Sequence, residues 1–298
     1  MLRIALFIAT NVGVLILVSV LMSLFGVDAY LADGGIDYMG LLIMCALFGF
    51  AGSFISLLIS KWMAKKSMRV QIIDQPRNAD EQWLYSTVQE LAEKANIKMP
   101  EVGIFPSAQP NAFATGWNKN AALVAVSQGL FSRFDRSEVK AVMAHEIGHV
   151  ANGDMVTLTL IQGVVNTFVL FFSRIIGHFV DRAIFKSESG HGPGFFITTI
   201  VAQIVLGFLA SAIVAWFSRY REFRADEAGA TLASTGSMIA ALQRLKSETD
   251  QIAAAGVQNE VPDNLQAFGI TGLKSKMAAL FATHPPLDIR IQHLRDVA

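Results

Sequence analysis

The sequence contains one cysteine, Cys45, and carries no net charge, because its 24 basic residues balance 24 acidic ones. A single cysteine excludes an internal disulfide and a zinc site built from several thiolates. Without an excess of positive charge, nucleic acid is not expected as the main partner. Charged residues make up only 16% of the 298 residues, whereas 53% are hydrophobic. This composition fits one sizeable soluble core together with several membrane spans.

Four apolar segments approach or reach the length of about 20 residues that crosses a bilayer. They cover residues 4–25, 39–59, 155–176 and 195–217. The first could instead be a signal peptide, because Arg3 precedes it and residues 27–29 resemble a cleavage site. We favour a membrane span, since the apolar stretch is long for a signal peptide and a second span follows closely. The sequence therefore predicts a mainly α-helical membrane protein with about four transmembrane helices.

The distribution of positive charge indicates the orientation of these spans. Four basic residues follow the second span: Lys61, Lys65, Lys66 and Arg69. The loop between the first two spans has three aspartates and no lysine or arginine. The positive-inside rule then places the N terminus and the region after the second span in the cytoplasm. Basic residues at the outer turn of the second hairpin (Arg174, Arg182 and Lys186) oppose the rule, so the sequence leaves open whether the last two segments cross fully.

The two hydrophobic hairpins divide the chain into four parts. Residues 1–60 form the first hairpin and residues 154–217 form the second. Residues 61–153 and 218–298 are soluble pieces, which we expect to form one small α+β domain.

Periodic patterns predict the elements of this soluble domain. Helical patterns cover residues 80–95, 219–232 and 237–246. Strand patterns cover residues 102–105 and 121–126. Residues 256–272 have the composition of a long polar loop, and His284-Pro285-Pro286 precedes a final short helix whose first turn suits proline.

The most informative pattern is His145-Glu146-Ile147-Gly148-His149. Two histidines four residues apart share one face of a helix and can bind one zinc ion, and the glutamate between them can accept a proton from a bound water. Asp135 and Glu138 are typical of an N-cap and its capping-box partner. Apolar residues follow at helical spacing: Val139, Val142, Met143, Ile147 and Val150. We therefore predict an amphipathic helix that carries two metal ligands. The alternative is a surface helix with two unpaired histidines.

A catalytic zinc ion usually takes three protein ligands and one water. The chain has four other histidines: His178, His191, His284 and His293. The first two lie near the outer turn of the second hairpin, on the wrong side of the membrane. The third ligand is therefore expected to be one of the last two histidines or a carboxylate.

Glu222 is the strongest of these candidates. It follows the fourth span by five residues, about 7–8 Å along a helix, and His149 precedes the third span by a similar distance. The hairpin would therefore bring the two helices together at one face of the membrane. Asp226 lies one turn further on and could orient a histidine ring. Alternatively, residues 221–226 form a solvated helix with local ion pairs.

Several motifs together resemble the HtpX family of membrane zinc metalloproteases, and more distantly the eukaryotic CAAX prenyl endoproteases. They are the motif at 145–149, Asn152-Gly153-Asp154, the following hydrophobic hairpin, residues 218–226 and His284-Pro285-Pro286. The likeness covers essentially the whole chain. It implies a multi-pass metalloendopeptidase of the bacterial cytoplasmic (inner) membrane, with one Zn2+ per chain and a zincin-like catalytic domain that faces the cytoplasm.

The resemblance also implies roles for individual residues. In that family the two motif histidines and the glutamate of the second motif bind zinc, and the motif glutamate is the general base. Carried over, His145, His149 and Glu222 hold the metal, and Glu146 is the base.

Residues 110–116 resemble the edge strand that binds extended substrates in zinc peptidases with this helix motif. Asn111, Ala112 and Phe113 are therefore candidate substrate-binding residues, although a plain turn before a strand is the alternative. His284 could donate a hydrogen bond to the substrate or to the oxyanion, or it could cap the final helix.

The expected substrates are protein or peptide segments, chiefly cytoplasmic loops or tails of membrane proteins, with misfolded ones favoured. Polar residues surround the motif, so the metal is expected at the membrane surface and not at mid-bilayer. The resemblance implies a role in quality control and stress response. One alternative is a CAAX-type processing peptidase, which predicts more than four spans around an apolar chamber. Another is a non-proteolytic, zinc-stabilised scaffold, which predicts a fourth protein ligand, with His284 as the candidate.

Overall fold

The computed structural model describes residues 37–187, 192–254 and 282–297, together with Ser23. In chain order, its helices are α1 (Tyr38–Ser67), α2 (Ala79–Lys94), α3 (Gln128–Arg133), α4 (Arg136–Asn152), α5 (Asp154–Ala183), α6 (Pro193–Leu232), α7 (Thr235–Ala254) and α8 (Leu287–Asp296). Its strands are β1 (Gln71–Ile72), β2 (Glu101–Phe105), β3 (Ala112–Thr115) and β4 (Leu123–Ser127). The chain divides into two compact units. The first comprises Met1–Ser56 and Thr159–Val214, and the second comprises Leu57–Leu158 and Ala215–Ala298.

Three helices in the described part of the chain are long and apolar enough to cross a membrane, namely α1, α5 and α6. Their most apolar windows have mean hydropathies of 2.4, 1.9 and 2.3. These helices contain the predicted second, third and fourth spans, whereas the predicted first span, residues 4–25, lies outside the described residues except for Ser23. Helix α6 has 40 residues. Its length is therefore about 60 Å, twice the hydrocarbon thickness of a bilayer, so it extends well beyond its apolar segment.

In the first unit, α1 and α5 approach each other closely at two glycines. A β-carbon added at Gly49 would lie 2.7 Å from Oγ1 of Thr167, and one added at Gly163 would lie 2.7 Å from the ring of Phe50. Small residues let helix backbones pack tightly in a bilayer, where van der Waals contact takes the place of the hydrophobic effect. These glycines therefore set the close crossing of α1 and α5.

A buried carboxylate closes the hairpin of α5 and α6. Asp181 accepts hydrogen bonds from the backbone N–H groups of Gly192 at 2.7 Å and Phe195 at 3.1 Å. Negative charge is favoured at the N-terminal end of a helix, where N–H groups lack the usual acceptors. Asp181 therefore caps α6 and ties it to the last turn of α5.

The second unit contains a four-stranded sheet in the order β1-β2-β4-β3. Strands β2 and β4 are parallel, whereas β1 and β3 run antiparallel to their neighbours. The predicted strands at 102–105 and 121–126 are confirmed with small shifts at their ends. Strand β1 and helix α3 were not predicted, because elements of two and six residues are too short to give a periodic signal.

Helix α4 carries the motif and begins with the predicted capping box. Asp135 accepts a hydrogen bond from the N–H of Glu138 at 2.9 Å, and the Glu138 carboxylate accepts one from the N–H of Asp135 at 3.0 Å. The helix ends at Gly153, whose φ of +68° is a left-handed conformation that glycine adopts without strain. The helix is buried on more sides than the predicted amphipathic pattern implies, because α2, α7, β3 and β4 pack around it.

The helices after the second hairpin differ from the prediction mainly at their ends. The helix predicted at 219–232 is confirmed as the continuation of α6. Helix α7 extends beyond the predicted residue 246 to Ala254. Helix α8 begins at Leu287, so Pro286 occupies the N-cap and not the first turn. The predicted loop at 256–272 lies outside the described residues.

Candidate metal centre

The two motif histidines lie on one face of α4, near its C-terminal end. The ring centroids of His145 and His149 are 4.7 Å apart, and the ring planes are nearly perpendicular at 86°. They are four positions apart, which is about one helical turn. The predicted placement on one helix face is therefore confirmed.

A glycine lets α6 pack closely against this end of α4. A β-carbon added at Gly148 would lie 2.7 Å from the β-carbon of Ala228. The close approach brings the face of α6 with Glu222 and Asp226 towards the histidines. These acids are only 1% and 0% exposed. The alternative of a solvated helix at 221–226 is therefore wrong at these two positions.

Glu222 lies within reach of both histidine rings. Its Oε2 is 3.6 Å from Nε2 of His145, and its Oε1 is 3.3 Å from Nε2 of His149. Among the described residues, these three form the group whose possible ligand atoms all lie within 4.8 Å of one another. Two ligands bound tetrahedrally to zinc at about 2.1 Å would be about 3.4 Å apart, so the separations fit such an ion. The buried Oε2 of Glu222 makes no hydrogen bond of good geometry, although nitrogens of His284 and Arg290 lie within 3.3 Å of it.

Without a metal ion, this cluster holds protons. Burial opposes ionisation of His149, but hydrogen bonding to Asp154 and Glu222 outweighs it and raises the pKa of His149 to about 9. The pKa of His145 is also raised, because the carboxylates of Asp226 and Glu222 overcome the effect of burial. Because both pKa values are raised, metal binding at these rings competes with protons.

Each motif histidine has a second carboxylate at its other ring nitrogen. Nδ1 of His149 is 2.7 Å from Oδ2 of Asp154, and Nδ1 of His145 is 2.9 Å from Oδ1 of Asp226. A carboxylate in this position orients the ring and makes the opposite nitrogen a better metal ligand. The sequence suggested this role for Asp226 but assigned none to Asp154, although Asp154 follows the motif by five residues.

Arg290 on α8 extends this buried network. Its Nε donates to Oδ2 of Asp226 at 2.8 Å, and its Nη2 donates to Oδ1 at 2.6 Å. Its Nη1 lies 3.3 Å from Oε2 of Glu222. No local pattern in the sequence predicts this pairing, because it joins residues 64 positions apart.

His284 lies beside the cluster but differs from the motif histidines. Its Nδ1 is 2.7 Å from Oε2 of Glu222, and its side chain is 63% exposed. His284 does not belong to the group of mutually close ligand atoms. The other late histidine, His293, pairs with Glu227 at 2.8 Å and also lies outside that group. The geometry therefore favours Glu222 over both histidines as the third ligand.

Glu146 is half-buried, whereas its neighbours on α4 are buried. Its negative charge acts on both His149 and Arg290. The carboxylate is therefore close to the cluster and accessible from outside it.

The predicted substrate strand contains β3, which lies at the edge of the sheet and packs on α4. The N–H of Ser127 donates to the carbonyl of Asn111 at 2.8 Å, so the backbone of Asn111 faces β4. Backbone groups in antiparallel strands alternate in direction, so those of Ala112 and Ala114 point away from β4. Ala112–Thr115 forms a strand and not the plain turn that was the alternative.

The fold and the site together define a class of protein. Two histidines one turn apart, a carboxylate from a second helix and a glutamate between the histidines form the arrangement of metallopeptidases with a helical histidine motif. Apolar helices of membrane-spanning length in the same chain make it a membrane-bound member of that class.

Comparison with known proteins identifies the family. Residues 78–298 match Peptidase family M48. The chain is 64% identical to Protease HtpX of Cellvibrio japonicus over 298 residues, which cover 100% of this chain and 99% of that one. It is also 64% identical to Protease HtpX of Hahella chejuensis over 295 residues, with 99% of each chain covered. The chain therefore belongs to peptidase family M48, and within it to the HtpX proteases.

A solved structure supports the fold at much lower sequence identity. The crystal structure of S. mikatae Ste24p matches with a TM-score of 0.62 and 18% identity. The match covers 93% of this chain and 66% of that protein. The two proteins share a fold.

Proposed function

We propose that this chain is a zinc-dependent endopeptidase of the bacterial inner membrane that cleaves cytoplasmic regions of membrane proteins, misfolded ones above all. Residues 61–153 and 218–298 together would form its catalytic domain, on the cytoplasmic side. The observation that carries the proposal is the close group of His145, His149 and Glu222 with Glu146 beside it. The resemblance to HtpX proteins adds the role in quality control and stress response.

In the proposed mechanism, His145, His149 and Glu222 would hold the zinc ion. When bound, zinc supplies Lewis-acid polarisation of the scissile carbonyl and makes a water more acidic. Glu146 accepts the proton of the attacking water and then delivers it to the leaving amine, acting first as base and then as acid. Asp154 and Asp226 hold the histidine rings in the orientation that the metal requires.

A further donor would stabilise the negative charge that develops on the carbonyl oxygen. His284 suits this role, because its side chain is exposed while it remains within 2.7 Å of Glu222. Arg290 suits it less well, because it is buried and two of its nitrogens are hydrogen-bonded to Asp226. His284 would therefore contact the substrate, whereas Arg290 would hold the buried carboxylate of Asp226 in position.

The substrate would bind as an added strand at the edge of β3. The outward-facing backbone groups of Ala112 and Ala114 supply the main-chain hydrogen bonds for such an extended segment. The exposed side chain of Asn111 lies at the beginning of this edge, where it can bind the substrate backbone. The half-buried ring of Phe113 packs on Phe105, with centroids 5.4 Å apart, and supports the strand. Main-chain binding tolerates many sequences, which suits a peptidase that removes misfolded proteins.

The two alternative functions fit the observations less well. A scaffold with a closed metal site needs a fourth ligand, but His284 lies outside the group of close ligand atoms. A CAAX-type peptidase needs an apolar chamber enclosed by more spans than the three long apolar helices in the described ranges supply. Cleavage of a prenylated peptide in preference to the unprenylated peptide would favour the CAAX-type function.

Two substitutions test the assignment of base and ligands. Glu146→Gln should lower turnover of an unfolded protein substrate by about 10²–10⁴-fold, because the proton acceptor is lost. Its metal content should remain that of the wild type. His145→Ala should instead lose the metal. Appreciable cleavage by Glu146→Gln, or wild-type metal content in His145→Ala, would contradict the assignment.

A further inference from the structure

The end of α1 is attached to one end of the sheet. The apolar run of this helix finishes at Ile59, and the helix continues to Ser67. The hydroxyl of Ser60 is hydrogen-bonded to the hydroxyl of Thr115 at 3.1 Å. The next basic residues, Lys61 and Lys65, both form ion pairs with Glu101. Because Thr115 ends β3 and Glu101 begins β2, the same end of the sheet faces the polar end of α1.

The turn that joins β3 to β4 lies at this end of the sheet. Gly116 has a φ of +146°, and an added β-carbon would lie 2.7 Å from the carbonyl oxygen of Ala121. The two ends of the turn are therefore in close contact. The Asn118 side chain accepts a hydrogen bond from the N–H of Asn120 at 2.7 Å, which orders the tip. This ordered turn presents Trp117, which is 51% exposed, and the exposed Lys119.

The depth of the turn follows from the length of chain between it and α1. Ser60 directly follows the apolar run, so it lies near the boundary between hydrocarbon and headgroups. Trp117 is two residues from Thr115, the partner of Ser60, and is therefore within about 7 Å of it. The headgroup layer on each side of a bilayer is about 5–8 Å thick. The turn is therefore close enough to reach the headgroup layer.

The chemistry of the exposed side chains matches that layer. Tryptophan is enriched at membrane interfaces, because its ring is apolar and its N–H is polar. The nearby Trp62 on α1 is 60% exposed, and Nζ of Lys66 lies 5.1 Å from the centroid of its ring. Lysine side chains near an anionic leaflet are attracted to lipid phosphates. The turn and the end of α1 thus both carry exposed aromatic and basic side chains.

We propose that residues 116–121 form a membrane anchor, in which Trp117 enters the headgroup layer and Lys119 contacts the phosphates of an anionic bilayer. The anchor would hold the edge of β3 beside the membrane, where polypeptide leaving a membrane span first becomes accessible. This inference rests on the proposed function, in which β3 receives the substrate. Lipid contact can nevertheless be measured without any turnover.

Two single-tryptophan proteins test the contact. The chain has four tryptophans, Trp62, Trp83, Trp117 and Trp216. Replacing all but Trp117 by phenylalanine gives the test protein, and replacing all but Trp83 gives the matched control. Trp83 packs on Phe131 of α3, with centroids 6.0 Å apart, at the opposite end of the sheet from the turn. Both full-length proteins are reconstituted in anionic vesicles whose lipids carry bromine, a fluorescence quencher, at known depths.

The fluorescence of Trp117 should fall about two-fold when the bromines lie near the headgroups, as expected for an interfacial ring. It should fall less when the bromines lie deep in the acyl chains, and Trp83 should change little at any depth. Equal, weak quenching of the two residues would overturn the anchor. Three tryptophans are replaced in each protein, so circular dichroism and metal content are used to verify that both proteins are folded.

A cleavage assay separates the anchor from the activity. Trp117→Ala should cleave an unfolded segment fused to a membrane span several-fold more slowly than the wild type, while cleavage of soluble casein stays unchanged. Equal rates on the fused segment would contradict a role of the anchor in substrate access. If the wild type cleaves neither substrate, the proposed function is wrong. The quenching of Trp117 would still test the membrane anchor, because it does not depend on turnover.

Discussion

Asp154 and Asp226 show how individual residues prepare the cluster for a metal ion. One histidine ring has Asp154 within 2.7 Å, and the other has Asp226 within 2.9 Å. Both acids are at most 2% exposed, so solvent does not compete for them. The charge of Asp226 is balanced by Arg290, which binds it through two nitrogens. Asp154 is also the first residue of α5, directly after Gly153, where its negative charge is favourable at the N-terminal end of the helix.

Replacing Asp154 by asparagine tests this positioning role. The substitution keeps the size of the side chain but removes the charge that supports His149. Metal affinity should fall by about 10–100-fold, the usual effect of losing such a partner. Competition with a chelator of known affinity measures the change.

Glu227→Gln is the matched control for that measurement. Glu227 also pairs with a histidine, His293, at 2.8 Å, but outside the metal cluster. Its replacement should leave metal affinity unchanged. If Asp154→Asn and Glu227→Gln behave alike, Asp154 does not position His149.

Among the secondary-structure elements, β3 carries the proposed substrate contacts. Its backbone alternates between groups that bond to β4 and groups that point outward, and this alternation can be tested with proline. Proline lacks an N–H and is tolerated on an edge strand where that N–H faces away from the sheet. Ala112→Pro should therefore keep the fold and the metal while lowering kcat/KM by about 2–10-fold, the value of one hydrogen bond.

Phe113→Pro is the control for register in the same strand. Phe113 is paired with Ala125, and its N–H is expected to face β4. Proline at this position should destabilise the sheet and lower the melting temperature, which Ala112→Pro should not do. The reverse order of the two melting temperatures would show that the outward-facing groups are assigned to the wrong residues.

The elements that the sequence predicted well are those with strong local signals. The capping box at Asp135 and Glu138 and the two histidines one turn apart follow from spacing within a single helix. The long apolar runs likewise identified α1, α5 and α6. The continuation of α6 as far as Leu232 was also expected, because helical periodicity resumes after the span.

The parts that the sequence could not give depend on contacts between distant segments. Arg290 reaches Asp226 only because α8 packs beside α6, and no local pattern encodes that pairing. Asp154 is only five positions from His149, but the two lie on different helices, and sequence spacing across the end of α4 does not fix the direction of the Asp154 side chain. The burial of α4 on most sides was also missed, since its apolar spacing alone suggests one buried face.

At the scale of the whole molecule, the orientation across the membrane decides which substrates are available. Under the positive-inside rule, the basic residues after the apolar run of α1 predict that this end lies in the cytoplasm. The turn between α5 and α6 should then face the opposite side, even though it carries basic residues. The Asp181 cap shows that this turn is built as a closed hairpin end.

Labelling of introduced cysteines tests this orientation. In a Cys45→Ala background, a cysteine that replaces Lys66 should react with a membrane-impermeant maleimide in inside-out vesicles and not in intact spheroplasts. A cysteine that replaces Lys186, near the turn between α5 and α6, should show the opposite pattern. Labelling of both positions from the same side would contradict the proposed topology, because α5 would then not cross the membrane.

The most direct test of the central claim is zinc-dependent proteolysis by the detergent-purified wild type. The protein is stripped of metal, assayed on casein, and assayed again while zinc is added up to one ion per chain. Cleavage should be absent after stripping and should return in proportion to the bound zinc, because His145, His149 and Glu222 form one site. Cleavage that persists in the stripped protein, or a zinc-loaded protein that cleaves nothing, would contradict the claim.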